Sequence, residues 1–298
     1  MTSHATAIER YLTWPATRRC AYGWGRVALG LLLLVAGCGL VVTVVGTVIA
    51  LATLGEGANP SASPAPVLMV VQMAVSGLWA LVVWGVARGV FRMSFADLVS
   101  WVPGVRWGLL GKATLISLVG LGAYTIAVAL AKGTPVVPLS GEMIVAVVAA
   151  ILLIPFQALA EELLFRAFGP QVVLGRIGHD TAKYAVVAVV SSAIFASLHG
   201  ASNTIAWLTF LIFGLVFAVL VRTTAGVEAA FALHAVNNVL LVVSGILTGR
   251  NLTAVQGDVV VDLAVVAQVV VVVAIAAAIP LVTRRERAAT GPVAARAG

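Results

Sequence analysis

The chain has 298 residues, 61% hydrophobic and only 10% charged, with a formal net charge of +7. A soluble domain carries about a quarter of its residues as charges, so this composition excludes an ordinary soluble globular protein. Most of the excess Lys and Arg lies between or beyond apolar runs, where it sets membrane orientation and gives no nucleic-acid signal. The two cysteines, Cys20 and Cys38, fit neither a disulfide framework nor a zinc cluster.

Apolar runs of about 20 residues recur along the whole length, and each is long enough to cross a bilayer as a helix. They predict an all-α, polytopic membrane helix bundle of about eight transmembrane helices. Residues 1–26 form a basic leader with Arg10, Arg18, Arg19 and Arg26, in which Trp14, Tyr22 and Trp24 suit the membrane interface. The first apolar run is too long for the core of a cleaved signal, so it is read as a retained anchor. The first span covers 27–54, residues 55–66 form a loop, and the second span covers 67–87. Residues 88–107 read as an amphipathic segment with Arg88, Arg92 and Arg106, and Trp101 and Trp107 as interface anchors. The third span, 108–131, is followed by a loop with Pro135 and Pro138.

The fourth span begins near 143; the fifth, sixth and seventh cover 183–199, 203–221 and 226–247. A polar loop, 248–262, precedes the eighth span, which ends near 282, and the tail carries Arg284, Arg285, Arg287 and Arg296. Eight spans put both termini on one side. Both termini are basic, as are the loops after the second, fourth and sixth spans, whereas the other loops carry only Lys132 and Arg250. Both termini are therefore expected in the cytoplasm.

Three polar groups interrupt the apolar runs. The first is Glu161-Glu162 with Arg166, after a run from 143 to 160 that holds no charge and only Gln157 as a strongly polar residue. An ionisable group within the hydrocarbon costs roughly 2.5–3.5 kcal/mol on insertion scales, which makes such residues functional candidates. Glu162 and Arg166 share a helical face and can neutralise each other, which leaves Glu161 without a partner. The second group is Phe195 with His199; the third is His234 with Asn238, again four apart and on one face. The chain has four histidines, and the other two, His4 and His179, fall outside the spans.

Two carboxylates, two imidazoles and an amide from separate helices can hold a divalent metal or polarise a water. A metal-free site, with Glu161 as base and the histidines stabilising an oxyanion, is the alternative. Glu142 and Glu228 lie in first turns of helices and are assigned to helix-dipole electrostatics, outside the site.

In order and spacing, Glu161-Glu162-x-x-x-Arg166, Phe195-x-x-x-His199 and His234-x-x-x-Asn238 resemble the CAAX protease and bacteriocin-processing family, which includes the type II CAAX prenyl endopeptidases and the Abi proteins. The resemblance covers roughly 144–247 and organises the chain as a leader (1–26), three helices with their loops (27–142), a catalytic core (143–247), and a last helix with a basic tail (248–298). It implies an intramembrane endopeptidase, in a bacterial plasma membrane, that hydrolyses a membrane-embedded or membrane-anchored peptide or protein. By the resemblance, Glu161 activates water beside His199, His234 and Asn238 position the water or stabilise the oxyanion, and Glu162 and Arg166 hold the fourth helix in register. Members of that family are commonly described as metalloproteases, and a divalent metal, zinc or similar, would then sit on Glu161, His199 and His234; the metal-free alternative stays open. The substrate need not be prenylated.

One geometric condition follows. Unless the fourth helix continues past Gly169-Pro170 to about Leu174, Glu161 and His199 would sit near opposite faces, some 20 Å apart. The extension brings them to one depth, with residues 200–202 as irregular backbone beside a polar cavity in the cytoplasmic half to middle of the bilayer. Two other readings compete: a catalytically silent scaffold or immunity-type protein, and an ion-coupled transporter. The transporter reading predicts an internal repeat, and the EExxxR pattern does not recur; HxxxN recurs at His199-x-x-x-Asn203, with no second EExxxR before it.

Overall fold

The computed structural model describes residues 7–13, 22–54, 70–71, 74–102, 104–201, 203–249 and 263–284, the side chains of 49–54 excepted. The loop at 55–66, the polar loop beyond 249, and Trp14, Arg18, Arg19, Cys20, Arg250, Arg285, Arg287 and Arg296 lie outside the described residues. In chain order the helices are α1 (residues 7–13), α2 (Trp24–Leu54), α3 (Trp79–Phe91, entered through a 3-10 turn at Ser76–Leu78), α4 (Phe95–Val99), α5 (Trp107–Ala131) and α6 (Gly141–Glu162). They continue as α7 (Gly169–Ile177), α8 (Thr181–Leu198), α9 (Thr204–Thr224), α10 (Glu228–Leu247) and α11 (Leu263–Val282).

Seven of these stretches are long and apolar enough to cross a membrane. Among the described residues, the second expected span corresponds to a shorter apolar helix, Ser76–Phe91, beside seven full-length candidates. The polarity of the bundle is inverted relative to a protein in water. On α6 the exposed residues are Ile144, Val145, Val148, Ile151, Leu152 and Phe156, while Gln157, Glu161 and Glu162 are buried. Such an arrangement is stable only where the surrounding solvent is hydrocarbon, and this is a multi-pass membrane protein.

Local chemistry starts these helices. Ser140 caps α6 by accepting from Met143 N, Asp180 caps α8 by accepting from Lys183 N, and Asn203 caps α9 by accepting from the N–H groups of Ile205 and Ala206. Between α6 and α7 the chain does not break. Leu163–Phe168 is a π-helical turn, and Gly141–Ile177 runs as one apolar stretch of 37 residues. The fourth helix therefore extends past Gly169-Pro170, as the depth argument requires. Glu161 lies about 24 Å from Ile177, and His199 about 27 Å from Thr181, at 1.5 Å per residue. Counted from the same end of the bundle, the two depths now agree.

The most buried candidate span is α10, which packs against α6 and α5; α9 packs on α8, and α11 lies across α5 and α9. One end of the bundle is tied by Val137 N donating to Leu247 O at 3.0 Å. At the other, Trp101 N donates to Ala225 O and Val227 N donates to Val99 O. Arg106, expected as an interfacial loop charge, is instead buried at that end. Its Nη2 and Nε donate to Glu228 Oε2 and Oε1 at 2.6 and 2.9 Å, and its Nη1 donates to Thr224 O. Glu228 stays in the first turn of α10, but its main partner is this guanidinium. The leader closes the same end: Tyr11 is buried with its hydroxyl donating to Leu98 O, and Tyr22 donates to Val172 O.

Candidate active site

Four buried residues form the centre: Glu161 and Glu162 at the end of α6, Arg166 in the π-helical turn, and His234 on α10. Arg166 Nη1 lies 3.4 Å from Glu162 Oε1, one helical turn back, so this pair balances its own charge. The same oxygen accepts from His234 Nδ1 at 2.8 Å. His234 Nε2 then faces Glu161 Oε2 at 3.5 Å. The imidazole is thus held between the two adjacent carboxylates, and Glu162 orients it. Phe217 stacks on its face, with centroids 4.7 Å apart and planes 18° from parallel.

Glu161 has a second set of partners. Gln157, one turn earlier on α6, donates from Nε2 to Glu161 Oε1. Gln157 Oε1 accepts from Asn238 Nδ2 at 3.1 Å, which ties α10 to α6. Among the described residues, Glu161 Oε2 has no hydrogen-bond partner. One carboxylate oxygen is fixed, and the other is available to take a proton.

His199 follows the last residue of α8. Its Nδ1 is 2.7 Å from Phe195 O, and because a carbonyl only accepts, Nδ1 carries the proton and Nε2 presents a lone pair. Phe210 stacks on it at 4.2 Å. The Phe195 ring lies between the groups: its centroid is 4.1 Å from the Arg166 guanidinium, 4.3 Å from the His199 ring and 6.1 Å from the His234 ring. His199, His234 and Asn238 all line one cavity of about 390 Å³. Its lining runs on to Lys132, Thr134 and Thr248. That is the end where Val137 meets Leu247, opposite the basic end; the sequence reading expects the cavity in the cytoplasmic half to middle of the bilayer.

The six residues singled out from the sequence are thus gathered as follows: Glu161, Glu162, Arg166, His234 and Asn238 form one bonded network, and His199 joins it through Phe195 and the cavity wall. Sequence reasoning left out Gln157, Asn237, Gln268, Phe210 and Phe217. Gln157 had a signal, since it lies four residues before Glu161 on the same face. As oxygen and nitrogen donors, Glu161, His199 and His234 suit zinc or a related ion. Among the described residues, however, no group of three or more His, Cys, Asp or Glu side chains is placed to hold a metal ion. His234 accounts for part of this misfit, since both of its nitrogens face carboxylates.

No curated protein and no solved structure matches the chain. A family model described as type II CAAX prenyl endopeptidase Rce1-like matches residues 143–240, the segment that holds all three motifs. Over that segment the chain is similar to the Rce1-like type II CAAX prenyl endopeptidases.

Proposed function

We propose that the protein is an intramembrane endopeptidase in which Glu161 is the general base. The observation that carries this reading is the unequal pair of Glu161 oxygens. Oε1 is held by Gln157, and Oε2, buried beside His234, is without a hydrogen-bond partner among the described residues. A water held by the His199 Nε2 lone pair gives a proton to Glu161 Oε2 as its oxygen attacks the peptide carbonyl carbon. Asn238 has one N–H beyond the one given to Gln157, and this N–H donates to the oxyanion of the tetrahedral intermediate. Glu161 then passes the proton to the amide nitrogen, the C–N bond breaks, and an acid and an amine leave. His234, oriented by Glu162 through its Nδ1–H, packs beside Glu161 Oε2 and holds its place through the cycle. Glu162 in turn is balanced by Arg166.

On this reading the basic end faces the cytoplasm, both termini are cytoplasmic, residues 143–247 form the catalytic core, and the cavity receives a membrane-embedded or membrane-anchored peptide. A divalent ion on Glu161, His199 and His234 would require those side chains to converge, so no step is assigned to it.

The test uses detergent-purified wild type, Glu161→Gln and His199→Ala, with cleavage of a membrane peptide library and metal content measured on the same samples. Glu161→Gln is expected to lower kcat at least about a thousandfold while membrane levels stay normal, since proton transfer and water activation are both lost. Wild-type turnover retained by Glu161→Gln would remove Glu161 as the base, and no turnover in wild type would favour a silent scaffold. Stoichiometric metal lost in His199→Ala together with activity would replace the unaided base with a metal-assisted one.

A further inference from the structure

The amides around Glu161 continue beyond Gln157 and Asn238. Asn238 Oδ1 accepts from Asn237 Nδ2 at 3.1 Å, and Asn237 Oδ1 accepts from Gln268 Nε2 at 2.9 Å. Four hydrogen bonds therefore run head to tail: Gln268 to Asn237, Asn237 to Asn238, Asn238 to Gln157, and Gln157 to Glu161. Their sense is dictated from one end. An ionised carboxylate only accepts, so Gln157 must present its NH2 to Glu161 and its carbonyl to Asn238, and each amide in turn is oriented by the next. Aligned in this way the amide dipoles add, with the positive end at the carboxylate, and each bond polarises its neighbour.

The chain of bonds crosses three helices, α6, α10 and α11, and its first member lies outside the matched segment 143–240. Gln268 is also the only strongly polar side chain in α11, Leu263–Val282, and it lines the cavity. A primary amide on an otherwise apolar span needs a partner there. Packing alone would be met by any single acceptor on α10. A directed series that ends on Glu161, whose Oε2 has no hydrogen-bond partner among the described residues, does more than that.

We infer that Gln268, Asn237 and Gln157 are positioning residues for Glu161, an amide relay that makes α11 part of the active site. The relay fixes Oε1 and leaves Oε2 turned toward the reacting water. It rests on the reading of Glu161 as the base, and its tests separate the two.

The variants are Gln268→Met, Gln157→Met and the double variant, since methionine keeps the volume of glutamine and removes the donor. Each single change is expected to lower kcat about tenfold with KM unchanged, the usual loss for a hydrogen bond in a series that ends on a charged group. The double variant is expected to be no slower than Gln157→Met, because cutting the series at its last bond already isolates Glu161; two unrelated packing defects would multiply instead. A second measurement needs no turnover: a structure of purified Gln268→Met, in which the Asn237, Asn238 and Gln157 amides are expected to lose their head-to-tail order and Gln157 its hydrogen bond to Glu161 Oε1. Multiplicative kinetic losses, or an unchanged series from Asn237 to Glu161 in that structure, would overturn the relay. If wild type cleaves nothing, the peptidase reading fails and the structure alone decides the relay.

Discussion

At the scale of single residues, the basic end of the bundle depends on one ion pair. Arg106 and Glu228 are both buried and joined by two side-chain hydrogen bonds, and Gly226 packs directly against them. A Cβ at Gly226 would overlap Arg106 Nη2 and Glu228 Oε2 and meet Val99 O at 2.9 Å. Gly226→Ala is therefore expected to cost about 3 kcal/mol or more, near the cost of breaking a buried pair. A fall of several degrees in the thermal midpoint in detergent would show it. His179 lies outside the spans, half-buried, with its Nε2 3.3 Å from Arg222 Nη1. Burial first, and then the Arg222 charge, hold its pKa below the ordinary 6.5. The unfolded chain thus binds the proton more readily, so stability is full above about pH 6.5 and falls as the pH drops through the lowered value. Thermal midpoints measured from pH 7.5 down to 5 should decline, and His179→Gln should flatten that slope. The catalytic candidates were legible at this scale because charges and imidazoles in apolar runs stand out. Arg106–Glu228 was not, because the partners are 122 positions apart.

At the scale of elements, the π-helical turn Leu163–Phe168 carries the site. It widens the helix after the two glutamates, keeps all six of its side chains buried, and returns Arg166 to Glu162. A π-turn amounts to one extra residue in an α-helix, and such insertions cluster at functional sites. Deleting Ala167 would let the wide turn close to an α-helical one and shift the Arg166 guanidinium against Glu162. Cleavage is expected to fall at least about a hundredfold, since misplacement by an ångström costs that much. Folded, monodisperse deletion protein with wild-type turnover would remove the turn from the mechanism. The need for a long fourth helix was visible from depth alone. Its π-helical form was not, because no residue type in Leu-Leu-Phe-Arg-Ala-Phe demands it.

At the scale of the whole molecule, charge and helix ends give the orientation. Arg88, Arg92, Arg106, Arg176, Lys183 and Arg222 lie toward the end where Ala225 meets Trp101; among the described residues, Lys132 lies at the other. In the orientation proposed from the positive-inside rule, the first end is cytoplasmic. In a background without Cys20 and Cys38, Arg92→Cys should resist a membrane-impermeant maleimide on intact cells, and Lys132→Cys should react. The reverse pattern would invert the bundle and turn the cavity mouth to the cytoplasm.

By itself, the sequence determined the solvent, the α-helical class and the three motifs, because a hydrocarbon environment imposes run length and makes each polar residue conspicuous. Tertiary structure alone decided which amide donates to which carboxylate oxygen, that Arg106 is buried against Glu228, and that α11 reaches the site. Those depend on how helices rotate and cross, and close packing sets both through contacts between residues far apart in the chain.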